Sequence, residues 1–131
     1  MNKMTVYADY AATTRVSDKA AAAMAEYLTK EYANPSSLHT PGQRARVAVE
    51  DARRKIAKAL NADPKEILFT SGGSEADNWA IRGSLAVQAK KGKKHLITTA
   101  YEHHAVLEVA EAVEKEGYEV TYIKPDREGL I

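Results

Sequence analysis

The segment Phe69-Thr70-Ser71-Gly72-Gly73-Ser74-Glu75-Ala76-Asp77-Asn78 sets two glycines among hydroxyl side chains. It lies where a strand-like run, Glu66-Ile67-Leu68-Phe69, gives way to a helix-like one from Ser74 onward. Glycine lets the backbone turn sharply and approach a ligand closely. The first turn of a helix has free N–H groups and a partial positive charge, which suit a phosphate. A second reading stands beside this one. Ser74 with Asp77 three residues later also fits a plain capping box, which needs no ligand. Glu75 and Asp77 suit the helix dipole but would repel a phosphate unless they point away. The other chemistry-bearing stretch is Thr99-Ala100-Tyr101-Glu102-His103-His104. Adjacent histidines in a loop could stack on a flat ligand or move protons near neutral pH. The plainer alternative is a helix start, with Glu102 in its first turn. His39 is a weaker candidate, and His95, opening a strand, reads as structural.

The elements that must position these residues follow from periodicity. Thr5-Val6-Tyr7 reads as a short strand and Ala8–Thr14 as a loop. Ser17 is a suitable N-cap for a helix from Asp18 to about Lys30, with Ala20, Ala23, Met24, Tyr27 and Leu28 on one face. Asn34-Pro35-Ser36-Ser37 breaks the pattern, and the loop is expected to run to about Pro41. A second helix reaches about Leu60, with Ala45, Ala48, Val49, Ala52, Ile56 and Leu60 in phase. Its arginines and lysines read as a solvated face, since no aromatics interleave. Beyond Asn61-Ala62-Asp63-Pro64 the order becomes strand (Ile67–Phe69), helix (Glu75–Lys90), turn, strand (His95–Thr99), helix (Ala105–Glu116), strand (Glu119–Ile123), with Gly117 ending the last helix. Such alternation predicts a parallel sheet with right-handed crossovers. In such sheets ligands sit beyond the carboxyl ends of the strands, so the Gly-Gly corner and the His103 loop would face one crevice if their strands are neighbours. Three parallel strands leave faces and edges uncovered. The chain is therefore expected to be a fragment, or to need a partner.

Composition removes several classes. The 131 residues include no cysteine, so disulfides, thiolate metal sites and a cysteine nucleophile are excluded within the chain. The net charge of +1 gives no argument for nucleic acid. The histidines lack metal-ligand spacing, so no metal is expected. No run is long and apolar enough for a membrane span, and Met1–Tyr7 lacks a signal peptide's apolar run, so the expected location is cytoplasmic.

Four segments in order carry a resemblance: Tyr7-Ala8-Asp9-Tyr10-Ala11-Ala12-Thr13-Thr14, Asn34-Pro35-Ser36-Ser37-Leu38-His39, Phe69 to Asn78, and Glu102-His103-His104-Ala105-Val106-Leu107. Together with Glu116-Gly117-Tyr118-Glu119-Val120-Thr121-Tyr122 they resemble the N-terminal motifs of cysteine desulfurases. These are pyridoxal-phosphate enzymes of the class V aminotransferase group, of the type acting in iron–sulfur assembly. The resemblance spans essentially the whole chain. The glycine corner is similar to the branch reading Thr-Ser-Gly-Gly-Thr-Glu-Ala-Asp-Asn. Ser74 departs from the usual threonine but keeps the hydroxyl.

The resemblance implies an α/β fold: part of a three-layer sandwich with a mainly parallel sheet, preceded by a helical N-terminal arm. Residues 1–40 would form the arm and contribute to a small domain; residues 41–131 would begin the cofactor-binding large domain. It implies pyridoxal 5'-phosphate as cofactor, with Gly73 and Ser74 on its phosphate. His103, and not His104, would stack on the pyridine ring and handle protons. The Asp9–Thr14 and Asn34 loops would border the substrate site. L-cysteine would be the substrate, a sulfur-acceptor or scaffold protein the partner, and a homodimer the full-length state. The family's Schiff-base lysine, its pyridine-pairing aspartate and its persulfide cysteine would lie beyond residue 131, leaving these residues alone inactive. A different class V enzyme, or a non-catalytic remnant that binds only phosphate or a partner, are the competing readings.

Overall fold

The computed structural model describes residues 5–131. The opening Met1–Met4, included above in the reading against a signal peptide, lies outside the described residues. The chain separates into two units, one ending at Ile67 and one spanning Leu68–Ile131, and each is taken by itself.

In the first unit, helix α1 (Asp18–Thr29) begins where the sequence indicates: the Ser17 hydroxyl accepts the Ala20 N–H at 3.2 Å. None of its residues is buried, and its apolar stripe stays open, with Leu28 73% exposed. The expected strand at Thr5-Val6-Tyr7 is not formed. Instead the Asp9 carbonyl accepts the N–H groups of Ala12 and Thr13. The Tyr7 hydroxyl donates to the same carbonyl at 2.9 Å, and its ring meets Tyr10 edge-on at 5.5 Å. Local turn bonds thus satisfy the backbone that a strand would have needed a partner to satisfy.

Helix α2 (Thr40–Leu60) starts a residue before Pro41. The earlier start is set by His39, whose Nδ1 accepts the Gly42 N–H at 3.2 Å. Gly42 is buried, and a Cβ there would lie 2.5 Å from the Ser37 carbonyl oxygen and 2.9 Å from that of Asn34. The glycine is thus needed for close approach of two backbones. The Asn34–Ser37 turn it meets is closed by the Ser37 N–H on the Asn34 carbonyl and by the Ser36 N–H on Asn34 Oδ1. The basic face of α2 is laced with acids, through Arg44–Glu31, Arg53–Glu50 and Arg54–Asp51, in keeping with a solvated surface. After α2 a 3-10 turn, Pro64–Glu66, carries a capping box between Asp63 and Glu66. The Arg53 guanidinium then donates to the Ile67 carbonyl.

The second unit runs α3 (Gly73–Ala89), β1 (His95–Thr99), α4 (His104–Lys115), β2 (Glu119–Ile123). The strands pair in parallel, from His95 opposite Glu119 to Thr99 opposite Ile123. Both strands fall where alternation places them, and α4 ends before Gly117, which takes φ +93°. The expected strand at Ile67–Phe69 is not one. Ile67 is extended, but no strand lies beside this stretch among the described residues, and a strand exists only through its ladder. Leu85, Val109 and Val113 form the core, flanked by Ile81, Leu96, Tyr118 and Val120. The sheet's other face is bare, with Ile97 59% exposed. The α/β class and parallel pairing are therefore as the sequence indicates, and the described residues supply the sheet and one helical layer of the sandwich.

The buried Tyr122 hydroxyl has no hydrogen-bond partner among the described residues. Burial pushes its pKa up, and Glu114 and Glu111 act in the same direction. Removing an unpaired buried hydroxyl removes its desolvation cost, so Tyr122→Phe should be neutral or stabilising by up to about 1 kcal/mol in urea unfolding. Gly42→Ala should do the reverse. Helix propensity favours alanine by about 1 kcal/mol, but overpacking costs about 1–3 kcal/mol. Because the obstructing atoms belong to the backbone, the overpacking should win and lower the denaturation midpoint.

Candidate functional site

The start of α3 differs from the other three α-helices. Ser17, His39 and His103 cap α1, α2 and α4 with side-chain acceptors, whereas the N-cap of α3 is Gly72 and no side chain caps it. The first ladder bond of α3 runs from the Ala76 N–H to the Gly72 carbonyl at 3.2 Å. The N–H groups of Gly73, Ser74 and Glu75 precede that bond and are left without a helical acceptor. No atom lies within 4 Å of where a Cβ on Gly72 or Gly73 would sit. Gly72, at φ 171° and ψ 179°, is in extended backbone open to any residue, so the glycines leave free space and make no left-handed turn here. Ser74 is exposed and its hydroxyl makes no hydrogen bond among the described residues.

This geometry corrects one expectation. The Ser74–Asp77 capping box is not formed, because Ser74 lies inside the first turn and not at its cap. Glu75 does the reaching back instead. Its Oε2 accepts both the N–H and the hydroxyl of Ser71 at 2.7 Å. Those bonds, the hydroxyl's first, hold the Glu75 carboxyl below its ordinary pKa by favouring the charged form. The carboxylate is thereby engaged with Ser71 and stays ionised within the first turn. Thr70 adds a bond from its hydroxyl to the Gly72 carbonyl at 3.1 Å.

The second element is the turn after β1. The Ala100 N–H extends the ladder to the Ile123 carbonyl at 2.9 Å, and the Thr99 hydroxyl donates to Glu102 Oε1 at 2.7 Å. His103 is then the N-cap of α4, with Nδ1 accepting the Ala105 N–H at 3.1 Å and the ring exposed. The motif is thus a helix start, as the plainer reading has it, but Glu102 precedes the cap and lies outside the first turn, and the ring's Nε2 makes no hydrogen bond among the described residues. His104 sits edge-on to it at 6.2 Å. His95 is structural, as expected: Nε2 lies 2.8 Å from Thr121 Oγ1 across the sheet.

Connectivity relates the two elements. Helix α4 returns the chain from the end of β1 to the start of a parallel β2, so it begins at the strands' carboxyl edge. Helix α3 feeds the amino end of β1 and packs along it through Ile81, Leu85 and Leu96, so its own start also lies toward that edge. Gly73, Ser74 and His103 therefore belong to one edge of the unit, where open parallel sheets bind ligands. The Asp9–Thr14 and Asn34–His39 loops belong to the first unit. Sequence reasoning missed the Ser71–Glu75 clasp, although the four-residue spacing was its signal, and it missed histidine as a helix cap, which lies outside the usual cap residues. Among the described residues no group of three or more His, Asp or Glu side chains could hold a metal, and no helix is long and apolar enough to cross a membrane.

The second unit is thus an α/β unit with a parallel strand pair, a helix start at Gly73 that no side chain caps, and a histidine cap at the start of α4. The chain belongs to the class-V aminotransferase family, whose model matches residues 6–131. A cysteine desulfurase IscS of Clostridium botulinum is 50% identical over the 131 residues, all of this chain and 32% of that protein. The chain thus spans about a third of the length of the curated relatives it matches. Among solved structures, a NifS-like protein is 42% identical with a TM-score of 0.83, over 91% of this chain and 32% of the other. Another, described as SspA in complex with cysteine, is 41% identical with a TM-score of 0.87, over 97% of this chain and 36% of the other. These likenesses bear out the resemblance and the fold class drawn from the motifs.

The Ser71–Glu75 clasp has a direct test. Because its folded-state pKa is lowered, Glu75 contributes stability above the ordinary carboxylate range and loses it as pH falls through the lowered value. Titration of the Glu75 side-chain carbonyl by NMR should give a value below that of a free glutamate, with the Ser71 amide shifting in step. Ser71→Ala should return the value most of the way to normal, since the hydroxyl bond is the larger cause.

Proposed function

We propose that the chain is the N-terminal portion of a pyridoxal-phosphate-dependent cysteine desulfurase, which converts L-cysteine to L-alanine and passes the sulfur to a protein thiol for iron–sulfur cluster assembly or another sulfur-transfer pathway. The observation that carries the reading is the uncapped start of α3, with its free N–H groups and the Ser74 hydroxyl. The identity to cysteine desulfurases over the whole chain supports it. Residues 41–131 would begin the cofactor-binding domain, with residues 1–40 contributing to a smaller one. The working protein would be a cytoplasmic homodimer acting with a sulfur-acceptor or scaffold protein.

The donor set fits the cofactor's phosphate. The amides of Gly73 and Ser74 and the Ser74 hydroxyl are donors, the helix dipole favours a dianion, and no side chain crowds the two glycines. When bound, pyridoxal phosphate supplies an electron sink for bonds at the substrate's α-carbon. The chain's own residues would do the rest of the positioning. Gly73 and Ser74 anchor the phosphate, and the clasp of Glu75 on Ser71 keeps that carboxylate engaged. His103, fixed at the head of α4, lays its ring against the flat cofactor and holds a proton at Nε2. The chain contains no cysteine, so the thiol that receives sulfur must come from outside these 131 residues.

The sole tryptophan, Trp79, lies on α3 and is 51% exposed, so quenching of its fluorescence by added pyridoxal phosphate reports binding at this helix. Gly73→Pro with Ser74→Ala removes one N–H and one hydroxyl while keeping the fold, since proline suits the first helical position. Hydrogen bonds to charged groups are worth about 1.5–3 kcal/mol each, so affinity should fall at least about tenfold. Equal quenching by both proteins would overturn the site.

A further inference from the structure

Two histidines of this chain are held by the same device. His39 Nδ1 accepts the Gly42 N–H at 3.2 Å, and His103 Nδ1 accepts the Ala105 N–H at 3.1 Å. A backbone N–H can only donate, so the ring nitrogen facing it must carry a lone pair. In a neutral imidazole the proton then resides on the other nitrogen, because the bond made by one nitrogen sets the state of its neighbour. We infer that the first turn of α4 fixes His103 as its Nε2-protonated tautomer, so that the atom it offers to a ligand is a proton donor, and that the first turn of α2 fixes His39 in the same way.

This has a chemical consequence that rests on the reading of His103 as facing the cofactor. While capped and neutral, His103 has no lone pair at Nε2. To accept a proton it must take it on Nδ1, and that breaks the bond to Ala105. The capped ring is therefore a hydrogen-bond donor at Nε2, and a role as base, or as an imidazolium acid, requires it to leave the helix start. Ala105 enters as a positioning residue through its backbone alone. The other two histidines supply contrasts within the same chain. His95 engages Thr121 through Nε2 and not Nδ1, and His104 has no ring hydrogen bond among the described residues.

The test needs no cofactor. In the full chain with isotope-labelled histidine, proton–nitrogen correlation spectra recorded where the rings are neutral separate the two tautomers. His39 and His103 should each show a non-protonated Nδ1 and a protonated Nε2, while His104 should show an averaged pattern. A protonated Nδ1 or an averaged pattern at His103 would overturn the inference. Ala105→Pro removes the donor at a position where the helix ladder does not use it. It should move His103 to the averaged pattern and leave His39 unchanged; an unmoved His103 would count against the lock. If that variant does not fold, the wild-type spectrum decides alone. Pyridoxal-phosphate quenching of Trp79 tests the functional reading separately, so failure of one is distinguishable from failure of the other.

Discussion

Every α-helix begins with N–H groups that its own ladder cannot satisfy, and how each is satisfied organises this chain. Among the described residues, three of the four α-helices have a side-chain cap, with Ser17, His39 and His103 as acceptors. The fourth, α3, does not. Its Gly72-Gly73 start offers no side chain, and the nearest carboxylate, on Glu75, is turned back onto Ser71. Amides without a side-chain acceptor, in the same turn as the ionised Glu75 carboxylate, are thus gathered at one point. The cofactor reading depends on that point more than on any other feature.

The same constraint makes His103 a cap whose ring stays exposed at the start of α4. The loop before it is held by the Thr99–Glu102 bond and by the continuation of the ladder through Ala100. The ring is thus positioned by backbone and short polar bonds, with little help from packing. The buried core of this unit, around Leu85, Val109 and Val113, lies between the helices and the sheet, where it fixes the directions in which the helices point.

Much of this was legible in the residues. The succession of strand-like and helix-like runs located β1 and β2, and helical spacing with Ser17 and Gly117 located the ends of α1 and α4. The Gly-Gly corner and His103 stood out because glycines at a helix start allow close approach of a ligand and adjacent loop histidines can stack or move protons. The lost strands have one cause in common. Thr5-Val6-Tyr7 and Ile67–Phe69 have strand-like composition, but pairing is a property of two segments, and no second one lies beside either among the described residues. The Ser74 capping box failed for a different reason: the helix begins at Gly73, two residues earlier than the pattern needs, which turns a cap into a first-turn residue.

The sequence by itself determined the order of the α-helices and of β1 and β2, the parallel habit of the sheet and the family, because periodicity and ordered motifs are local properties of the chain. Only the tertiary structure decided which first-turn amides stay open, that Glu75 belongs to Ser71, and that His39 and His103 hold helices by Nδ1. The reason is directional. Composition says which groups can donate or accept, but a hydrogen bond depends on distance and angle, and those exist only once the backbone has folded.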